Sequence, residues 1–280
     1  MTAVDIGRAA CGALLDEVNA TPKPGLVDCA NSGAHRDMDI NTFFISVTAL
    51  APHFTRFAAL GAQTANLQPA AAFRELRGPG IEAEGDMLAA TGGVNTHKGA
   101  IFSLGLMCAA CARLAENEAH VSAAQICREA ARMADGVTSE LKKSAAIPSH
   151  GQAAFEKYGV MGARGEAENG FPGVMEVGYP TFNALMLEGA GKNAAAVWTL
   201  VALMGRVTDT NVISRHDMGM ALALKAWALE LGPRPSIQAI SAFDKSLIAL
   251  NISPGGCADL LAATIFLHSI EEINMNKQRF

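Results

Sequence analysis

The chain is expected to fold as an all-α protein, on three observations. Apolar residues recur at three- and four-residue spacing along most of its length. Alternation of apolar and polar residues between turn signals is almost absent, and alanine, the strongest helix former, is abundant. Ile6, Ala10, Leu14 and Val18 set the rhythm of the first segment. Ile126, Ala130, Met133, Val137 and Leu141 keep it in the middle, and Ile240, Phe243, Leu247 and Leu250 near the end. These patterns predict helices over residues 3–20, 40–61, 69–77, 82–91, 99–117, 121–143, 174–190, 192–208, 215–231, 236–250 and 256–273. No long Ser- or Gly-rich linker and no repeat of fixed period interrupts them, so residues 1–280 read as one helical catalytic domain.

Composition narrows the function. Half of the residues are apolar and 18% are charged, enough for a large core and against disorder. The formal charge of −5 argues against a broad nucleic-acid-binding surface, and an aromatic content of 6% argues against stacking platforms for single strands. The amino terminus lacks the basic start and apolar stretch of a signal peptide. The most apolar run, Gly99 to Ala112, falls short of the roughly 20 residues that span a membrane. Cys11, Cys29, Cys108, Cys111, Cys127 and Cys257 are scattered without a disulfide framework. Cys108 and Cys111 sit in an apolar helical pattern with no second metal-ligand pair, so they read as buried thiols. A cytoplasmic protein without membrane or nucleic-acid partners is expected.

The connections carry the chemistry. They read TPKPGLVDCANSGAHRDMD (21–39), TGGVNTHKGA (91–100), a stretch over 149–173 containing GARGEAENGFPG, TDTNVISRHD (208–217) and NISPGGCADLL (251–261). Loops held by a rigid scaffold are where binding and catalytic groups concentrate. TGGVNTHKGA offers backbone N–H groups at a helix start beside Asn95, His97 and Lys98, a combination suited to phosphate oxygens. It lacks Walker A spacing, and an ordinary Gly-rich helix entry accounts for it equally well. Gly255 and Gly256 repeat that logic before the last helix, where Asp259 complements a helix dipole, the reading its spacing favours, or holds a metal ion or a hydroxyl. Asp28, His35, Asp37 and Asp39 cluster in one loop, able to hold a divalent cation or merely to be solvated. Asp209 and Asn211, followed by Arg215 and His216, suit a hard metal or ribose hydroxyls, or form a polar helix end. Arg164 and Glu166 suit a phosphate clamp and a carboxylate base, or a surface ion pair.

In order, PKPGLVD, GAH-x-DMD, EGDM, GGVNTHKGAIFSLGL, GARGEA-x-x-GFP, DTNV-x-x-R and N-x-SPGG-x-ADLL run from Pro22 to Leu261. This ordered set resembles the triphosphoribosyl-dephospho-CoA synthase family. One departure is the Arg215-His216-Asp217 stretch, where the family commonly has R-G-G or R-x-G. The resemblance implies an all-helical transferase that converts ATP and 3′-dephospho-CoA to 2′-(5″-triphosphoribosyl)-3′-dephospho-CoA and adenine. The product is the precursor of the prosthetic group on the acyl carrier subunit of citrate lyase or malonate decarboxylase, passed on by an acyl-carrier-protein-modifying transferase. A homodimer and a Mg²⁺ requirement are also expected.

The reaction assigns roles. Attack of a hydroxyl on C1 of the ATP ribose passes through a sugar-cation-like state, as in glycoside hydrolysis. Glu166 is the expected general base, with Asp209 and Asp28 as further catalytic carboxylates. Lys23, Asn95, His97, Lys98, Arg164, Asn211, Arg215, Gly255 and Gly256 are expected to bind substrate phosphates and hydroxyls. Asp209, Asp28 and Asp39 are the expected Mg²⁺ ligands. The competing enzyme reading is an N-glycosidic hydrolase acting on ATP or ADP-ribose. A reading of another class is a nucleotide-binding module that liberates no adenine.

Overall fold

The computed structural model describes residues 1–142 and 150–277, with side chains described except at residues 150, 276 and 277. Helices form wherever the sequence supplies both an apolar stripe and a start signal. Thr2 caps α1 (Ala3–Asn19) and Asp39 caps α2 (Ile40–Gln63), each through a reciprocal capping box. α3 (Pro69–Ala90) begins on a proline, which fits a first turn because its missing N–H is not needed there. α4 (Lys98–Ala115) is followed by α5 (Ala123–Met133), with Ser122 as its cap, and a 3-10 turn over Val137–Lys142. α6 (His150–Tyr158), α7 (Gly162–Glu168) and a π-helical turn over Gly173–Gly178 lead into α8 (Tyr179–Leu187). α9 (Lys192–Arg206), α10 (Thr210–Arg215), α11 (Met218–Glu230), α12 (Ile237–Ala249) and α13 (Gly255–Lys277) complete the chain. Among the described residues there is no strand, and the all-α expectation holds.

Two helices form the centre. α4 is buried on nearly every face from Ala100 to Arg113, the pattern of a helix enclosed by neighbours rather than laid on a surface. It packs against α1, α2, α3, α5 and α13. α13 buries Cys257 and the run from Leu260 to Leu267 and contacts α1, α8 and α9. One contiguous apolar core extends from Ile6 to Ile270. α2 and α4 are, by length and composition, apolar enough to cross a membrane; 39% and 72% of their apolar windows are buried inside the fold.

Other departures from the predicted elements have local causes. The predicted helices 69–77 and 82–91 are one, α3, which continues through Pro79. Proline costs an interior hydrogen bond, but Pro79 is buried, and the packing of α3 on α2 and α4 carries the helix past it. The predicted helix 121–143 instead ends at Met133, because Gly136 takes a left-handed turn (φ 80°). Glu168 secures that turn by accepting the Gly136 and Thr138 N–H groups at 2.9 and 3.0 Å. Residue 143 lies outside the described residues, as does Ser149 at the start of the predicted 149–173 loop. That loop contains α6 and α7, and 208–217 contains α10.

Candidate functional site

The amino-terminal ends of α4, α7, α10 and α13 converge on one cavity of about 1670 Å³. Drug-sized ligands occupy roughly 300–1,000 Å³, so this space exceeds the need of one such molecule. Asn95, His97, Lys98, Arg164, Glu166, Asp209, Asn211, Arg215, Gly255 and Gly256 all line it, as does Lys23. Asp28 and Asp39 do not.

Carboxylates hold the helix ends in place. Asp209 caps two helices at once. Its Oδ1 accepts the Asn211 and Val212 N–H groups at 2.8 and 3.4 Å, and its Oδ2 accepts the Cys257 N–H of α13 at 2.9 Å. Asp259, one turn into α13, reaches across to the Ala100 N–H at the start of α4. Glu166 of α7 accepts the Gly173 N–H at 2.9 Å. The glycines opposite these groups leave room for them. A Cβ on Gly256 would lie 3.0 Å from Asp209 Oδ2, and one on Gly99 would overlap Asp259 Oδ2. The Gly-rich motifs are therefore seats for carboxylates from other helices, and the DTN, SPGG and THKGA stretches form one interlocked floor. Arg215 ties in the first loop, donating to Ala34 O at 3.0 Å and Asn251 Oδ1 at 3.2 Å beside His35.

Burial sets the protonation of this floor. It raises the carboxyls of Glu166 and Asp209 above their ordinary range, against the N–H groups that pull both down. Asp259 is pushed well above that range by burial, with Glu17 and Asp209 adding like charge. Glu17 is also raised by burial, opposed by its ion pair with Lys23 at 2.6 Å.

Several predicted roles need correction. Asp28 is buried, and its oxygens accept the N–H groups of Lys23, Ala30 and Asn31 at 2.8, 2.7 and 3.0 Å. It shapes the first loop and has no face on the cavity. Asp39 is exposed and engaged as the α2 cap, where hydrogen bonds from Thr42 lower its carboxyl. Both oxygens of Asp209 are likewise occupied. Among the described residues no three His, Cys, Asp or Glu side chains come together as a metal site. In this structure Asp28, Asp39 and Asp209 thus serve as loop and helix-cap acceptors rather than as one gathered metal cluster. Lys23 is locked to Glu17, its Nζ also donating to Glu17 O at 3.1 Å, and is 1% exposed. Asn95 accepts the Lys98 N–H at 3.2 Å and so starts α4. His216 donates toward or accepts no cavity group; its ring meets Asn251 O at 3.1 Å.

His97 is no phosphate-binding cation. Burial, with the Lys23 charge nearby, lowers its pKa to about 3. Thr96 Oγ1 donates to Ser46 Oγ at 2.7 Å, which directs the Ser46 proton to His97 Nδ1, also at 2.7 Å. The ring proton then sits on Nε2, which is buried without a partner. A group whose folded pKa lies below its unfolded value of 6.5 stabilises the fold above 6.5, and that contribution is lost as pH falls toward 3. Urea unfolding at pH 7 and pH 5 is expected to show a larger loss for the native chain than for His97→Gln. Equal losses would remove His97 as the cause.

Besides Arg215, which is tied to the first loop, the cavity cations without an acidic partner are Arg164 and two residues that sequence reasoning missed, Arg206 and Lys225. All three line the cavity, and no ion pair engages them among the described residues. Lys225 donates only to Thr208 Oγ1, at 3.3 Å. Neither lies in a recognisable motif; each stands alone in an apolar stretch of helix. Lys98 pairs with Glu84 at half-exposed positions. Such a pair is worth about 0–1 kcal/mol, so an arriving phosphate can take Lys98 from it, whereas the buried Lys23 pair is not open to exchange.

A family model described as ATP:dephospho-CoA triphosphoribosyl transferase matches residues 3–278. The chain is 43% identical over 267 residues, 94% of its length and 88% of the relative's, to a protein of Pectobacterium carotovorum subsp. carotovorum named probable 2-(5''-triphosphoribosyl)-3'-dephosphocoenzyme-A synthase. Proteins bearing that name without "probable" are 41% identical in Klebsiella pneumoniae, over 95% of this chain and 91% of the relative. In Escherichia fergusonii the identity is 44%, over 91% and 87%. No solved structure matches the chain.

Proposed function

Since the chain belongs to the ATP:dephospho-CoA triphosphoribosyl transferase family, we propose that it attaches the triphosphoribosyl group of ATP to the 2′-hydroxyl of 3′-dephospho-CoA and releases adenine. The observation that carries this reading is the convergence of α4, α7, α10 and α13 on a cavity with room for two nucleotide-sized substrates. Arg164, Arg206, Lys225 and Lys98 bind the triphosphate or the CoA pyrophosphate as charge-assisted hydrogen-bond donors. Glu166 takes the proton of the attacking hydroxyl, and its raised carboxyl suits a base working near neutral pH. Mg²⁺, if required, arrives on the triphosphate, since Mg²⁺ is commonly held by substrate phosphates rather than by a protein cage.

The product's use as prosthetic-group precursor for citrate lyase or malonate decarboxylase belongs to the same proposal and rests on the sequence resemblance. So do one catalytic domain over 1–280, hand-off to an acyl-carrier-protein-modifying transferase, a homodimer and a cytoplasmic location. Chromatography of the protein incubated with ATP and dephospho-CoA tests the reaction. Adenine is expected to appear only with dephospho-CoA present, together with a heavier CoA adduct. Adenine with free ribose triphosphate in its absence would establish a hydrolase instead, and no adenine at all a binding module. Arg164→Ala is expected to raise the KM for ATP about ten- to hundredfold, the loss of a charged hydrogen bond worth about 1.5–3 kcal/mol. An unaltered ATP titration would remove Arg164 from phosphate binding.

A further inference from the structure

We infer that Asp259 is a catalytic acid of this site: it delivers a proton to the departing adenine while Glu166 receives one from the incoming hydroxyl. The inference rests on the proposed transfer reaction and assigns it a residue that the sequence reads as a helix-dipole partner.

Elimination among the buried acids of the cavity leads there. Glu17 is 3% exposed and bound to Lys23, and Asp209 is 2% exposed with both oxygens capping helices. Glu166 and Asp259 remain half-buried and open to the cavity, each drawn by a single backbone N–H. Asp259 has no side-chain hydrogen bond and no ion pair among the described residues. The two acids line the same cavity around Cys257. Glu166, Asp209 and Asp259 all act on the buried Cys257 thiol and, after burial itself, push it further up. Gly173, whose N–H binds Glu166, has its Cβ position 2.9 Å from Leu260 Cδ1, the residue next to Asp259.

The chemistry needs two such groups. The bond between C1 of the ribose and N9 breaks with its electron pair going to adenine, and a new bond forms from C1 to the 2′-oxygen of dephospho-CoA. Adenine is a poor leaving group as an anion, so a ring nitrogen must gain a proton as the 2′-hydroxyl loses one. No net proton is consumed; Glu166 and Asp259 exchange theirs with solvent before the next turnover. Two carboxyls divide this work when their surroundings separate their proton affinities. Asp259, crowded by Glu17 and Asp209, is the one held more firmly in its neutral form.

The test uses a leaving group that needs no proton. N7-methylated ATP carries a cationic base that departs neutral once the bond breaks. Asp259→Asn keeps an oxygen for the Ala100 N–H, and it is expected to lower kcat with ATP by about 10²–10⁴-fold while losing less than about tenfold with the methylated substrate, on the same acid-catalysis scale. A wild-type rate with ATP, or equal losses with both substrates, would overturn the role. Rescue of Glu166→Gln in place of Asp259→Asn would overturn the division between the two acids. Should Asp259→Asn not fold, the native enzyme gives the same answer. Its kcat/KM for ATP should fall on the alkaline side, where the acid ionises, and that fall should vanish with the methylated substrate; identical profiles would overturn the inference. Failure of the transferase reading looks different, since the native enzyme would then form no CoA adduct from ATP and dephospho-CoA, with or without adenine release.

Discussion

Glu166→Gln is expected to reduce turnover by about 10²–10⁴-fold, the range that one positioned acid or base supplies. Glutamine is nearly the same size and retains an oxygen for the Gly173 N–H, so the π-helical turn after α7 keeps its anchor. What disappears is the capacity to take a proton. The loss should therefore fall on kcat, with the KM for ATP little changed, because Arg164 and its fellow cations are untouched. The native enzyme should gain activity as pH rises through the elevated pKa of Glu166, since a base must be ionised to act. The variant should lack that limb. A variant with native turnover would remove Glu166 from the chemical step.

Lys23→Met carries the largest expected cost in stability, about 3–5 kcal/mol, because it strands one member of a buried ion pair. Glu17 and Lys23 are both almost fully enclosed, and their 2.6 Å contact is what offsets the desolvation of each. Without the ammonium group, Glu17 must either stay charged in an apolar setting or take up a proton, and either outcome weakens the fold at neutral pH. Pairing the change with Glu17→Leu should recover most of the loss, since apolar replacement of a whole buried pair is often neutral. Denaturant unfolding of the two single variants and the double variant measures this directly. A single-variant loss under about 1 kcal/mol, the worth of an exposed pair, would show that Lys23 is dispensable to the fold.

Periodicity made most helices legible because a helix buried on one face must repeat its apolar residues along that face. α1, α2, α9 and α12 appear within one or two residues of their predicted ends at most boundaries. Pro79 misled because a local breaker rule cannot register the packing that overrides it, and Gly136 because its turn depends on Glu168 from another helix. The site divides along the same line. Gly99, Gly256, Glu166 and Asp209 stand in readable motifs, and the structure brings them to one cavity. Their neighbours do not advertise themselves: Glu17, Arg206 and Lys225 sit in helices outside any motif, and only tertiary packing gives them a common destination. Asp28 and Asp39 show the converse. Their acidic cluster is plain in the sequence, but Asp28 accepts backbone N–H groups within the loop and Asp39 Oδ1 caps α2, so the two carboxylates shape the chain locally.

Asp209 fastens α10 to α13, and Asp259 fastens α13 to α4. With α13 undocked, α1, α2 and α4 can still pack on one another, but the floor of the cavity is incomplete. Competence thus depends on the docking of segments distant in sequence. The same arrangement makes the carboxy-terminal helix a single point of failure: a transient detachment of α13 should silence the enzyme long before the remaining helices melt.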